Sequence, residues 1–233
     1  MIRFPFVEPG DMAEVVEASR AAIAQGGVLL LPTESFYGLG TDPWSEAGVA
    51  RIFTLKDRPA ELGLPVVCAD WQQLESLVVV PDTYRVKLSR FWPAALTVVL
   101  PTVGEIPAAR SGTLAVRIPG NAELRALLYR LGPLTATSAN RHGDPPFTTV
   151  DGALASLVEP PDLVLDAGAT AGGLPSTLVD LSRGEPELLR PRGCAWEEPY
   201  PDSCYLRSRR SIDRAGECGK ACGKHSAKHV KAM

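Results

Sequence analysis

Leu29-Leu30-Leu31-Pro32-Thr33-Glu34-Ser35-Phe36-Tyr37-Gly38-Leu39-Gly40 begins as an apolar run and breaks abruptly into hydroxyls, an acid, aromatics and two glycines. A buried strand needs no such ending. A pocket at the end of a strand does, because loops at strand ends present polar groups to ligands. Sixteen residues after Gly40 comes Lys56-Asp57-Arg58-Pro59, with two cations one residue apart. Together the two segments indicate a small polar substrate held beside an anion.

Working outward from that strand, the spacing predicts a helix over 11–25, with Asp11 and Glu14 at capping-box positions and Gly26-Gly27 at its end. Ser45 caps a second helix running through Phe53. Strands follow at 64–67, 96–100, 114–118, 134–137, 163–165, 177–181 and 188–189. Helices are predicted at 71–77, 84–91, 121–131 (capped by Asn121) and 150–157. Strands alternating with helices mean α/β, and the many Pro/Gly loops favour a twisted mixed β-sheet with flanking helices over a regular parallel one. The organisation reads as an N-terminal lead-in (1–9), one catalytic domain (10–199) and a basic, disordered tail (200–233).

A chain of 233 residues holds one sizeable domain. No stretch approaches the ~18 apolar residues of a membrane span. The five cysteines are an odd number, three of them in the last thirty residues, which points to a reducing cytoplasm rather than a disulfide framework. Residues 201–233 carry eight Lys and Arg against three Asp and Glu, so residues 1–200 hold 16 basic and 24 acidic groups. The body is acidic, and its positive charge is almost all arginine: Lys56 and Lys87 are its only lysines.

Neither G-x-x-x-x-G-K-[ST] nor G-x-G-x-x-G, G-x-S-x-G or H-E-x-x-H occurs, so a nucleotide would be bound by some other architecture. Six strand-end segments could converge instead. They are 32–40, 56–58, Thr113 with Arg117 (same face of one strand), Thr137-Ser138-Ala139-Asn140, 168–180, and Arg190-Pro191-Arg192-Gly193. In each, small or hydroxyl residues let a ligand approach the backbone while a cation stands by to neutralise anionic oxygens. Any one of them alone is an ordinary satisfied loop; six together are not.

With these segments in this order over about residues 10–195, the sequence resembles the YrdC/TsaC family of threonylcarbamoyl-AMP synthases, in its short, single-domain form. The resemblance implies a YrdC-like sheet with a cationic substrate groove. It implies a reaction as well, in which L-threonine, bicarbonate-derived CO2 and ATP give threonylcarbamoyl-AMP and pyrophosphate. A separate transferase then builds threonylcarbamoyladenosine in tRNA, so that any contact with tRNA is indirect. By family position Thr33, Tyr37, Arg117, Ala136 and Ser176 hold threonine. Lys56, Arg58, Ala60, Thr113, Ser138, Asn140 and Arg190 hold ATP, with Lys56 and Arg58 as the catalytic charges. Mg2+ accompanies ATP on phosphates and water, with no protein metal ligands.

Two departures stand out. Long-form relatives carry a threonine-contacting histidine where this chain has Leu64-Pro65-Val66-Val67-Cys68, and Pro146 replaces an ATP-contacting serine. The chain also ends before the long form's extra C-terminal domain. In the tail, Cys218, Cys222, His225 and His229 invite a zinc reading, but two residues separate the pairs where a finger uses ~12. A solvated tail is the better reading. Two alternatives to the synthase are a non-catalytic, double-stranded RNA-binding protein of the same fold and a carbamoyl-transfer enzyme related to hydrogenase maturation. The acidic body weighs against the first, and missing acylphosphatase-like and zinc-finger segments weigh against the second.

Overall fold

The computed structural model describes residues 1–6, 12–59, 62–191 and 196. Asp11, Ala60, Arg192, Gly193 and the tail with its Cys and His pairs lie outside the described residues. The elements run β1 (Ile2–Pro5), α1 (Met12–Ala24), β2 (Leu29–Pro32), β3 (Tyr37–Gly40), α2 (Glu46–Lys56), β4 (Val66–Val67), α3 (Trp71–Glu75) and α4 (Asp82–Phe91). Then come β5 (Leu96–Pro101), β6 (Thr113–Arg117), α5 (Ala122–Leu131), β7 (Leu134–Thr135), β8 (Thr137–Ser138), α6 (Val150–Ser156), β9 (Leu163–Asp166), β10 (Thr177–Asp180) and β11 (Glu187–Arg190).

These strands make two mixed sheets where the sequence suggested one. The order is β1-β9-β2-β3-β8 in the first and β11-β10-β5-β6-β4-β7 in the second. The apolar run 29–31 is explained by its place in the first sheet. Leu29 and Leu31 pack with α1 and α5 through Val15, Val16, Leu124 and Leu128, while Leu30 packs with α2 through Ile52 and Leu55. A strand buried on both faces cannot alternate polar and apolar residues. β9 behaves alike, with Leu163 and Leu165 on one side and Val164 on the other.

Three expectations are corrected. Residues 2–5, read as a lead-in, form an outer strand paired in parallel with β9. Residues 37–40, read as loop, form β3, antiparallel to β2, so the polar segment 33–36 is a hairpin turn. The glycines there serve close strand approach: a Cβ on Gly40 would lie 2.5 Å from Leu31 Cδ2 and 2.9 Å from the Thr135 carbonyl oxygen. Finally, the single strand predicted over 134–137 is two. β7 belongs to the second sheet and β8 to the first, with Ala136 as the corner, its N–H donating to the Pro65 carbonyl at 2.7 Å. Periodicity has no signal for a strand that changes sheets. Beyond β11, Trp196 stacks on Phe91 of α4 at 5.8 Å.

The helix starts follow their caps: Ser45 accepts from the Gly48 N–H at 3.1 Å and Asn121 from the Leu124 N–H at 2.7 Å. Gly48 illustrates how tightly α2 seats against Thr41, the residue that follows β3. Alanine there would gain about 1 kcal/mol of helix propensity. Its Cβ, however, would sit 2.2 Å from Thr41 Oγ1, a buried hydroxyl that donates to the Gly27 carbonyl at 2.9 Å. Overpacking of that kind costs about 1–3 kcal/mol, and the hydroxyl has no room to retreat. Gly48→Ala is therefore expected to lower the urea midpoint, and an unchanged or raised midpoint would show that the helix can shift.

Candidate functional site

Between the two sheets lies a cavity of about 460 Å³, within the range of small-molecule sites. β3, β8, β4, β5, β6, β10 and β11 all contribute to its wall. Its lining includes Arg58, Arg117 and Arg190 and, among the described residues, no Asp, Glu, Lys or His. A cavity with three guanidiniums in an acidic body is built for an anion.

Arg117 ends β6. Its side chain is 10% exposed, and its Nη1 donates to Glu34 Oε1 at 2.6 Å. Val66 and Val67 of β4, in the stretch that departs from the long-form pattern, form an apolar wall of the cavity. Arg58 reaches the cavity because α2 ends two residues earlier, at Lys56. Asp57 adopts the left-handed conformation (φ 48°) that Asp tolerates, and this turns the chain. Arg58 Nη1 then donates to Thr137 Oγ1 and Nη2 to the Gly63 carbonyl, both at 3.1 Å, while burial lowers its pKa. Arg190 of β11 is seated on Ser176, its Nε donating to that carbonyl at 3.1 Å and Nη2 reaching Oγ at 3.4 Å. Ser176 Oγ is in turn 2.8 Å from Thr97 Oγ1.

Other residues singled out in the sequence are also here, in more defined roles. Thr33 lines the cavity, but its hydroxyl donates to the Phe36 carbonyl at 2.7 Å and accepts from the N–H groups of Ser35 and Phe36 at 3.3 Å. That hydroxyl is committed to closing the 33–36 turn. Tyr37 is fully buried; its hydroxyl donates to the Gly168 carbonyl at 2.7 Å and accepts from the Ala167 N–H at 2.9 Å, and burial raises its pKa. Ala136, Ser138 and Pro146 also line the space.

Lys56, Thr113 and Asn140 do not line it. Thr113 does share a face with Ala115 and Arg117, but it sits at the far end of β6, its hydroxyl donating to the Arg110 carbonyl at 3.0 Å. Asn140 Nδ2 donates to the carbonyls of Arg141 and Asp144. Lys56 is 2% exposed, and its Nζ donates to the carbonyls of Ser138 and Asn140, the latter at 2.6 Å. Burial, and then the Arg58 charge, lower its ammonium to about 8. Ser35, Gly38, Thr97 and Thr137 line the cavity without having been singled out one by one. Thr97 had a signal, a hydroxyl inside an otherwise apolar strand.

Four buried side-chain polar atoms among the described residues lack a hydrogen-bond partner, and three of them are Glu34 Oε2, Arg58 Nε and Asn140 Oδ1. Native proteins rarely leave such atoms unpaired; Arg58 lines the cavity and Glu34 is bonded to the lining Arg117, so two of these atoms stand at or next to the space a ligand would fill.

Residues 21–192 match the Sua5/YciO/YrdC family model, described as telomere recombination. The chain belongs to that family. It is 37% identical over 183 residues to the threonylcarbamoyl-AMP synthase of Chromobacterium violaceum, covering 76% of this chain and 92% of that protein. Against the Pyrococcus abyssi threonylcarbamoyl-AMP synthase it is 37% identical over 182 residues, 76% of this chain but 53% of that one; the chain thus spans about half of that relative. The crystal structure of P. abyssi Sua5 complexed with L-threonine superposes with a TM-score of 0.75 at 32% identity, covering 83% of this chain and 58% of that chain. E. coli YciO shares the fold, with a TM-score of 0.72 at 23% identity over 84% of this chain and 97% of that one. Kinship at this level supports threonylcarbamoyl-AMP synthase activity and membership in a tRNA-modification-related transferase family.

Proposed function

We propose that the protein condenses L-threonine, bicarbonate-derived CO2 and ATP into L-threonylcarbamoyladenylate with release of pyrophosphate, as a cytoplasmic nucleotidyltransferase. Its product would supply a separate transferase for threonylcarbamoyladenosine modification of tRNA. The observation that carries this reading is the convergence of three guanidiniums, Arg58, Arg117 and Arg190, on one inter-sheet cavity, with Arg58 Nε unpaired.

In the proposed reaction the threonine amine attacks CO2 and loses a proton, giving a carbamate. A carbamate oxygen then attacks the α-phosphorus of ATP, and the bond to the β-phosphate oxygen breaks. No covalent enzyme intermediate is needed. The carbamate is short-lived, so most of the acceleration comes from holding it beside ATP and neutralising charge. Arg117 is assigned to the threonine carboxylate, with Val66, Val67 and Ala136 against the rest of the amino acid. Arg58 and Arg190 are assigned to the phosphates. Arg58 presents Nε, the donor its protein partners leave unused, and Arg190 is oriented by Ser176 and Thr97. Ser138 and Thr137 stand beside Arg58, and Lys56 supports them from behind. Mg2+ is assigned to the triphosphate and arrives with ATP, since it keeps several waters and is held largely by substrate phosphates.

Incubation with ATP, Mg2+, bicarbonate and L-threonine is expected to release pyrophosphate only when threonine and bicarbonate are both present, with the adenylate detected by mass. Absence of that dependence would sink the proposal, and duplex RNA binding without turnover would favour the non-catalytic alternative. Among the described residues no helix is long and apolar enough to cross a membrane.

A further inference from the structure

Arg117 carries five N–H donors on a guanidinium that is nearly out of water. Its one hydrogen bond among the described residues is a single contact from Nη1 to Glu34 Oε1 at 2.6 Å. The other carboxylate oxygen, Oε2, is buried with no partner. A free carboxylate approaching through the cavity could accept two parallel bonds from the same guanidinium, a better match than the single bond it has now. Two carboxylates on one guanidinium in a poorly hydrated site also repel each other. Whether the newcomer displaces Glu34 or crowds beside it, the resident carboxylate works against it.

We infer that Glu34 is an internal competitor for Arg117 that sets the affinity for the substrate carboxylate. This rests on the assignment of Arg117 to threonine proposed above. The local structure allows Glu34 to let go. The 33–36 turn is closed by Thr33 Oγ1 and backbone groups, and the Ser35 carbonyl is held by Thr170 Oγ1 at 2.7 Å and the Gly172 N–H at 2.8 Å. None of these bonds uses the Glu34 carboxylate, so its side chain can turn away while the turn stays in place. The physical gain is a paired buried cation in the empty enzyme and a barrier to weaker anions that cannot form the two-point contact.

The experiment compares wild type with Glu34→Gln in the full chain, by calorimetric titration without ATP, using L-threonine and L-threoninamide. Glu34→Gln is expected to bind L-threonine roughly tenfold more tightly, the scale of one charge-assisted hydrogen bond no longer contested, while L-threoninamide changes little. Glu34→Asp, too short to keep the pair, should tighten threonine in the same selective way and covers the case in which Gln perturbs folding. Unchanged threonine affinity in both variants would overturn the inference. So would equal weakening of both ligands, which would make Glu34 the counter-ion of the amine. If wild type and both variants bind no threonine and release no threonine-dependent pyrophosphate, the proposed function fails, and the competitor role with it.

Discussion

Arg117→Ala is expected to cut kcat/KM for threonine by about a thousandfold, the loss of a buried two-point carboxylate contact worth about 4 kcal/mol. The same substitution strands the Glu34 carboxylate, whose side chain is only 20% exposed and whose Oε2 already lacks a partner. Leaving one member of a buried pair uncompensated costs about 3–5 kcal/mol of stability, a large share of a domain's total. The single variant would therefore lose activity whether or not Arg117 touches substrate. The double variant Arg117→Ala/Glu34→Gln separates the effects. It should recover most of the thermal stability, because no buried charge is left alone, and recover none of the threonine-dependent pyrophosphate release. A double variant within tenfold of wild-type turnover would remove Arg117 from the threonine site.

The framework was legible wherever a local rule decides structure. Ser45 and Asn121 cap the helices expected of them, and the runs at 29–31, 96–100 and 163–165 are strands. The reading failed where a distant neighbour decides. Gly38 and Gly40 look like loop residues until β8 and Leu31 are placed against them. Residues 134–137 look like one strand until Pro65 takes the Ala136 N–H and divides it between sheets.

The site shows the same division. Residue type at strand ends was enough to nominate Thr33, Arg58, Arg117, Ser138, Ser176 and Arg190, all of which line the cavity. What the order of residues could not show is commitment. The Thr33 hydroxyl is spent on its own turn, the Tyr37 hydroxyl holds the 167–168 backbone, and Arg117 is engaged by a glutamate only 83 positions away through the fold. Hydrogen-bond occupancy is a property of the folded state, and it distinguishes groups available to a ligand from groups already in use.

Lys56 is where that distinction has the sharpest consequence. Beside Arg58, the sequence casts it as a point charge for phosphate. In the fold its ammonium ties the Ser138 and Asn140 carbonyls to the end of α2, while its own carbonyl accepts the His142 N–H at 2.9 Å. Lys56→Met keeps the length and apolar stem but leaves two carbonyls without a donor, at about 1–3 kcal/mol each, partly offset because a buried ammonium no longer has to be desolvated. A net loss of about 2 kcal/mol is expected by urea titration near pH 7, with pyrophosphate release falling because Ser138 loses its support. A lysine that only touched phosphate would give the opposite sign, since removing an uncompensated buried charge stabilises. The pH dependence separates the roles again. Burial lowers the ammonium to about 8, below its unfolded value near 10.4. Between those values the unfolded chain binds more protons, so the stability contributed by this group rises with pH. A neutral amine still has two N–H groups, enough for both carbonyls. The stability gap between wild type and Lys56→Met should therefore widen by roughly 1 kcal/mol from pH 8 to 9.5, without a fall in turnover tied to that pH range. A drop in turnover across that range would return Lys56 to the phosphate, whereas a gap that narrows would show that its pKa is not depressed.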